Sequence, residues 1–125
     1  MTLDDIHIRT DVKPGDIGYI VHMHGRLYGE EYQYGLTFEA YVAESIAEFA
    51  LSFNPDREAM WFCEHGSKII GFISLVDRGN QAQLRYFIIE KAYRGLGLGK
   101  KLMELFFDKM HAIGYKSAYL PVSYT

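Results

Sequence analysis

The sequence predicts a mixed α/β fold with the element order β-α-α-β-β-β-α-β, and three observations predict it. Residues 59–89 hold three β-branched and aromatic runs at meander spacing, each separated from the next by a turn signal. Glycines at every second position, Gly95, Gly97 and Gly99, join the last of these runs to an amphipathic stripe. Upstream, residues 17–53 repeat apolar side chains at helical spacing.

In order along the chain, residues 6–12 alternate as a short strand, ended by Pro14-Gly15. Ile17, Ile20, Val21, His24, Leu27 and Tyr28 share one face of a first helix, which Gly18, Gly25 and Gly29 weaken. Thr37 is the expected N-cap of a second helix, whose stripe is Phe38, Tyr41, Val42, Ser45, Ile46, Phe49 and Phe53 and whose stop is Asn54-Pro55. Strands are predicted over 59–65, 68–77 and 81–89, with turns at Gly66-Ser67 and Arg78-Gly79-Asn80. Leu98, Leu102, Leu105, Phe106 and Ile113 define a third helix that Gly114 ends, and residues 115–124 read as a last strand. A helix joins the final two strands, so they should be parallel neighbours.

The run Tyr93-Arg94-Gly95-Leu96-Gly97-Leu98-Gly99-Lys100-Lys101 carries the functional signal. Glycines let main-chain N–H groups turn inward, and a helix start adds unpaired donors at a positive dipole end. Arg94, Lys100 and Lys101 crowd that end with no acid before Glu104. Each such mismatch costs roughly 0.3 to 1 kcal/mol unless an anion sits there. The segment therefore reads as a phosphate holder. It is not a dinucleotide fingerprint, because G-x-G-x-x-G fails at Lys100 or Leu102; nor is it a P-loop, because Arg94 stands where its first glycine belongs.

What remains is [Q/R]-x-x-G-x-[G/A], met by Arg94, Gly97 and Gly99 directly after the strand Leu84-Arg85-Tyr86-Phe87-Ile88-Ile89. In that setting it resembles the coenzyme-A loop of the GCN5-related N-acetyltransferase (GNAT) superfamily. The resemblance runs from about Ile6 to the end and implies a single GNAT-like domain over residues 1–125, lacking the family's last helix and two strands. Residues 14–32 and the second helix look like the GNAT domain fused behind MarR-type winged helices, here without the DNA-reading unit. The implied activity is transfer of an acetyl group from acetyl-CoA directly to an amine. The alternative is a non-catalytic acyl-CoA-binding or regulatory module.

By the same resemblance, a bulge frees main-chain groups of Ile88 and Ile89 for the pantetheine arm, and Arg94, Gly95, Leu96, Gly97, Leu98, Gly99 and Lys100 contact the diphosphate. Lys91 stands where the family often has Pro. The catalytic groups stay unassigned. Gln83 occupies the position of the glutamate base of histone-type relatives and cannot accept a proton at neutral pH; the substitutes are Glu90, Glu30, Glu31 or Glu39 acting through water, or no dedicated base at all if the acceptor amine has a low pKa. Arg85 is expected to bind an acidic acceptor group or form a buried ion pair. Tyr28, Tyr32 and Tyr34 fall where the family lines its acceptor site, and Tyr28 equally reads as core.

Composition bounds the rest. A chain of 125 residues with 49% hydrophobic content, eight Phe and ten Tyr supports one core. Net charge is −3, with 14 acids against 7 Lys/Arg up to residue 90 and 2 against 6 after it, so only the C-terminal part favours a polyanion. Cys63 is the single cysteine and reads as a small buried side chain. His22 and His24 point about 200° apart on a helix and cannot share a metal. With an acidic start and no long apolar run, a cytoplasmic protein is expected. Its partner is a small-molecule or peptide amine, with room for a homodimer and with neither nucleic acid nor membrane.

Overall fold

The computed structural model describes residues 1–120. The chain divides into two compact units, one formed by Val12–Phe53 and the other by Met1–Asp11 with the chain from Asn54 onward.

The larger unit is built on a five-stranded sheet in spatial order β1-β2-β3-β4-β5: β1 (His7–Arg9), β2 (Ala59–His65), β3 (Lys68–Arg78), β4 (Gln81–Ile89) and β5 (Ser117–Tyr119). The first four are antiparallel neighbours, and β5 lies parallel to β4, as expected for strands joined through a helix. That helix, α3 (Leu98–Ile113), presents Leu98, Leu102, Phe106 and Met110 to one sheet face, where Trp61, Cys63, Ile73, Leu75, Ala82 and Leu84 complete the core. Each Leu, Ile, Phe or Met side chain among them contributes about 1.5 to 3 kcal/mol when fully buried. Burial pushes the Cys63 thiol up to about 12, which fits a packing role rather than a nucleophile.

The β3–β4 ladder changes step midway. Ser74 faces Arg85 and Phe72 faces Ile88, so Tyr86 and Phe87 together oppose Ile73. Tyr86 holds the left-handed φ of 53° with its ring buried. One extra residue flips the side-chain alternation. Ala82 and Leu84 before the bulge, and Phe87 and Ile89 after it, therefore pack into the same α3-side cluster.

The smaller unit is a helix pair, α1 (Asp16–Tyr32) and α2 (Leu36–Leu51). Three internal glycines do not break α1, which is anchored at its start by the Asp16 carboxylate accepting the Lys13 N–H at 2.6 Å. The N-cap of α2 is Gly35, not Thr37, which lies inside the first turn. Ring packing overrides cap preference there: Phe38 stacks on Tyr28 at 5.0 Å and meets Tyr34 at 4.8 Å, drawing the helix start upstream.

Two strands are shorter than expected. β1 begins only after Ile6 N–H has closed a 3₁₀ turn onto the Leu3 carbonyl, and it ends where the Arg9 guanidinium folds onto the Asp11 carbonyl. β5 starts at Ser117 because Tyr115 turns inward to a hydrogen-bonded cluster; residues 121–124 of the expected strand lie outside the described residues.

Candidate active site

The glycine segment follows β4 and forms the entry to α3. Glu90 N–H donates to the Ile70 carbonyl at 2.8 Å, closing the β3–β4 ladder. The chain then makes a 3₁₀ turn over Lys91–Tyr93, in which the Tyr93 N–H reaches the Glu90 carbonyl and the Arg94 N–H reaches the Lys91 carbonyl. Gly95 and Gly97 follow with φ of 88° and 86°, which L side chains rarely adopt, so glycine is needed at both. Gly99 differs: its φ is helical, and an added Cβ would meet Ile89 Cδ1 at an ordinary 3.5 Å.

The consequence is a run of open donors. Lys101 N–H is the first to find a helical partner, the Gly97 carbonyl at 3.1 Å. Among the described residues, the main-chain N–H groups of Gly95, Leu96, Gly97, Leu98, Gly99 and Lys100 have no hydrogen-bond partner. The first turn of α3 carries no acid, while the exposed Lys100, Lys101 and Arg94 surround it. Six donors, a helix dipole and three cations fit a doubly charged anion. Leu98, only 1% exposed, anchors the segment in the core, so the donors are held before any ligand arrives.

Two side-chain links brace this turn. Tyr93 packs against the core cluster and brings its Oη to 2.7 Å from His65 Nδ1, with the rings edge to face. Arg94 Nε donates to the Ile89 carbonyl at 2.9 Å, tying the loop back to the end of β4. The two residue types that the loop pattern admits at this place, Gln and Arg, both carry a donor nitrogen at the same point of the side chain.

The sequence-predicted positions fall into three groups. Ile89, Arg94 and residues 95–100 come together as one surface. The Arg94 N–H serves the Lys91 carbonyl, so a contact from this residue to a ligand would fall to its guanidinium. Ile88 is set apart. The Glu90–Ile70 bond and the register place the Ile88 main chain toward Phe72 of β3, and alternation turns that of Ile89 to the other side. Among the described residues β5 pairs only with Gln81, Ala82 and Gln83, so none of them offers Ile89 a strand partner.

The proton-transfer candidates are dispersed. Gln83 lies six residues before Ile89, roughly 20 Å along the strand, and its Oε1 accepts from Arg78 Nε at 2.7 Å. Glu90 adjoins the loop and pairs with Lys68 Nζ at 3.6 Å. Glu30 is exposed on α1, in the other unit, and the Glu39 carboxylate lies against Gly25. Arg85 forms no ion pair among the described residues; its guanidinium lies 4.8 Å over the Tyr86 ring instead. Tyr28 is part of the ring cluster with Tyr32, Tyr34 and Phe38, while Tyr32 and Tyr34 remain exposed. His22 is exposed and His24 buried, with Nδ1 2.9 Å from the Ile20 carbonyl oxygen. No group of three metal-ligating side chains occurs among the described residues, and no helix there is long and apolar enough to cross a membrane.

The profile of the acetyltransferase (GNAT) family matches residues 22–125, most of the chain and all of the loop. The chain belongs to the GNAT family. Solved GNAT-type structures agree in fold. An acetyltransferase from Streptococcus agalactiae superposes with a TM-score of 0.74 at 21% identity, covering 93% of this chain and 72% of that one. A predicted acetyltransferase with acetyl-CoA from Clostridium acetobutylicum gives 0.73 at 13% identity, covering 94% and 80%. The PaiA N-acetyltransferase from Thermoplasma acidophilum, in complex with coenzyme A, gives 0.70 at 19% identity, covering 92% and 77%. No protein of curated function matches the sequence. Within the GNAT match lie α2, strands β2 to β4, the loop and α3, so every element that shapes the loop belongs to the shared part.

Proposed function

We propose that this GNAT protein binds acetyl-CoA at residues 94–100 and transfers its acetyl group directly to an amine. The observation that carries the reading is the run of six main-chain donors at the mouth of α3 that are unpaired among the described residues. Donors fixed in advance lose little on binding, and a diphosphate is the CoA group with enough acceptor oxygens to use them. The structures similar in fold that hold acetyl-CoA or CoA support the choice of ligand.

In the reaction, the amine nitrogen attacks the thioester carbonyl carbon, the C–S bond breaks, the amine loses a proton and the thiolate gains one. This chain supplies positioning above all: the loop holds the diphosphate, and the outward-facing main chain at Ile89 guides the pantetheine arm along β4. Glu90, beside the loop, is the nearest carboxylate in sequence to that path. A thiol-release assay with acetyl-CoA and a panel of amines tests the reading. Amine-dependent CoA release is expected, and its loss in Gly99→Glu ties it to the loop.

A second reading, an acyl-CoA-binding module without turnover, rests on Gln83. An amide stands at the glutamate position, and its oxygen is already engaged by Arg78. Tight acetyl-CoA binding without thiol release on any amine would establish this second reading.

A further inference from the structure

Arg85 stands apart from the other arginines of the larger unit. Arg9 donates to Glu64, Arg57 to the Gly79 carbonyl, Arg78 to Gln83 and Arg94 to the Ile89 carbonyl. Among the described residues Arg85 donates to no acceptor, and its guanidinium lies over the Tyr86 ring at 4.8 Å instead. Such stacking takes up one face of the guanidinium, while the five N–H donors lie in its plane and stay open. The side chain is half-buried and its root is fixed. Ser74, fully buried, donates its hydroxyl to the Arg85 carbonyl at 2.6 Å, and Tyr86 is itself buried. A cation held partly out of water with its donors unused is costly unless an anion completes it. Acids in and beside the sheet are engaged elsewhere: Asp77 by Arg57 and Tyr115, Glu58 by the N–H groups of Asn54 and Asp77, and Glu64 by Arg9.

We infer that Arg85 is an acceptor-specificity residue: its guanidinium binds a carboxylate, and the substrate is a small amine that also bears a carboxyl group, an amino acid or a short peptide. The inference rests on the acetyl transfer proposed above and names its acceptor class. Leu84 packs into the α3-side cluster, so alternation turns Arg85 to the opposite face of the sheet. Arg85 lies four residues before Ile89 on β4, roughly 10 to 13 Å along the strand once the bulge is allowed for. An arm that follows β4 from the loop brings its thioester toward Arg85. A carboxylate held there keeps the acceptor beside the strand that carries the thioester. The planar fork matches a carboxylate with two parallel bonds, which fixes direction as well as strength. Arg85 takes no proton and forms no covalent bond; it orients the amine.

Steady-state thiol release with acetyl-CoA tests this on acceptors paired so that only the carboxylate differs: amino acids beside their carboxamides, and dipeptides beside theirs. The pair that responds tells a free amino acid from a peptide. Arg85→Met keeps the apolar stem and removes the charge. It should raise the KM of the carboxylate acceptor about tenfold to a hundredfold, the weight of a charged hydrogen-bonded contact, and leave the KM of its carboxamide and of acetyl-CoA within about twofold. Comparing variant with wild type cancels the difference in amine basicity within a pair. Arg85→Lys keeps the charge without the fork, so its carboxylate KM should lie about threefold to tenfold above that of the wild type. A role in the fold alone would move both members of a pair together. A carboxamide-to-carboxylate KM ratio unchanged in Arg85→Met, or a wild type that acetylates only the carboxamides, overturns the inference. Should Arg85→Met fail to fold, an unchanged ratio in Arg85→Lys does so. Thiol release with no acceptor of any kind overturns instead the acetyl transfer on which the inference rests, and the inference with it.

Discussion

The two ends of the β3–β4 ladder treat their polar groups in opposite ways. At the hairpin end, Tyr115 Oη lies 2.8 Å from Asp77 Oδ1 and 2.7 Å from the Arg57 carbonyl oxygen, while the Arg57 guanidinium covers the Tyr115 ring at 4.3 Å. Arg57 Nη2 reaches the Gly79 carbonyl at 2.8 Å, and the Glu58 carboxylate accepts the N–H groups of Asn54 and Asp77. Even the exit of α3 is tied in, through Lys116 N–H to the Asn80 carbonyl. At the other end, six consecutive N–H groups find no partner among the described residues. Saturated groups fix the fold; unsaturated ones, held rigid by a buried Leu98, are left for a ligand. One ladder serves both purposes because the bulge at Tyr86 separates them.

The sharpest way to break this contrast is Gly99→Glu. A carboxylate placed among the open donors should cost acetyl-CoA about a hundredfold or more in affinity, roughly 3 kcal/mol. The same acid at a helix start should hold or raise folding stability by about 0.3 to 1 kcal/mol. Opposite signs in calorimetric binding and thermal melting are the expected result. Gly97→Glu is a poorer probe, because φ of 86° strains any side chain there.

At the hairpin end the pattern should reverse. Asp77→Ala removes the acceptor of Tyr115, Arg57 and the Gly79 N–H, and should lower unfolding free energy by about 1 to 3 kcal/mol in urea titration while acetyl-CoA affinity stays within about twofold.

The same cluster sets a pH dependence. Burial pushes the Asp77 carboxyl up, but hydrogen bonds from Tyr115 and Arg57 outweigh it and leave the carboxyl below its ordinary value. Its contribution is therefore complete above about pH 4 and fades as pH falls through the lowered value. Burial and the Asp77 hydrogen bond push Tyr115 up to about 12, so its contribution is complete below pH 10 and fades between there and about 12. Asp77→Ala should flatten the acid limb of a melting-temperature profile.

The smallest effect distinguishes the glycines. Gly99→Ala needs no unusual φ and meets no close neighbour, so it should raise stability by about 0.5 to 1 kcal/mol and keep acetyl-CoA binding. Gly95→Ala should instead lower stability by about 1 to 2 kcal/mol, a difference that melting curves resolve.

Much of this was legible in the sequence, since hydrophobic periodicity and turn residues report backbone directly. The strands over 59–65 and 81–89, the helix ended by Gly114 and the parallel final pair all stand where pattern places them. The loop was legible because glycines and misplaced cations are a local signal. A bulge near the end of β4 was implied by the family resemblance and is present, but its place was not readable from the residues: Tyr86 holds its positive φ with a side chain that gives no hint of it, and tertiary packing of the buried ring decides the matter. Without the bulge the facing of Ile88 and Ile89 could not be assigned. Nor does any spacing rule reveal that Arg94 would turn back five residues to the Ile89 carbonyl. The α2 start failed for a related reason, as aromatic contacts between helices outweigh one hydroxyl cap.

The most direct measurement is a ¹⁵N-edited amide shift map recorded as CoA is added to the protein. The account predicts large shifts for the amides of Gly95, Leu96, Gly97, Leu98, Gly99 and Lys100, and unmoved amides for Asp77, Gly79 and Lys116. Shifts confined to the hairpin end, or a loop that does not respond at saturating CoA, would contradict it.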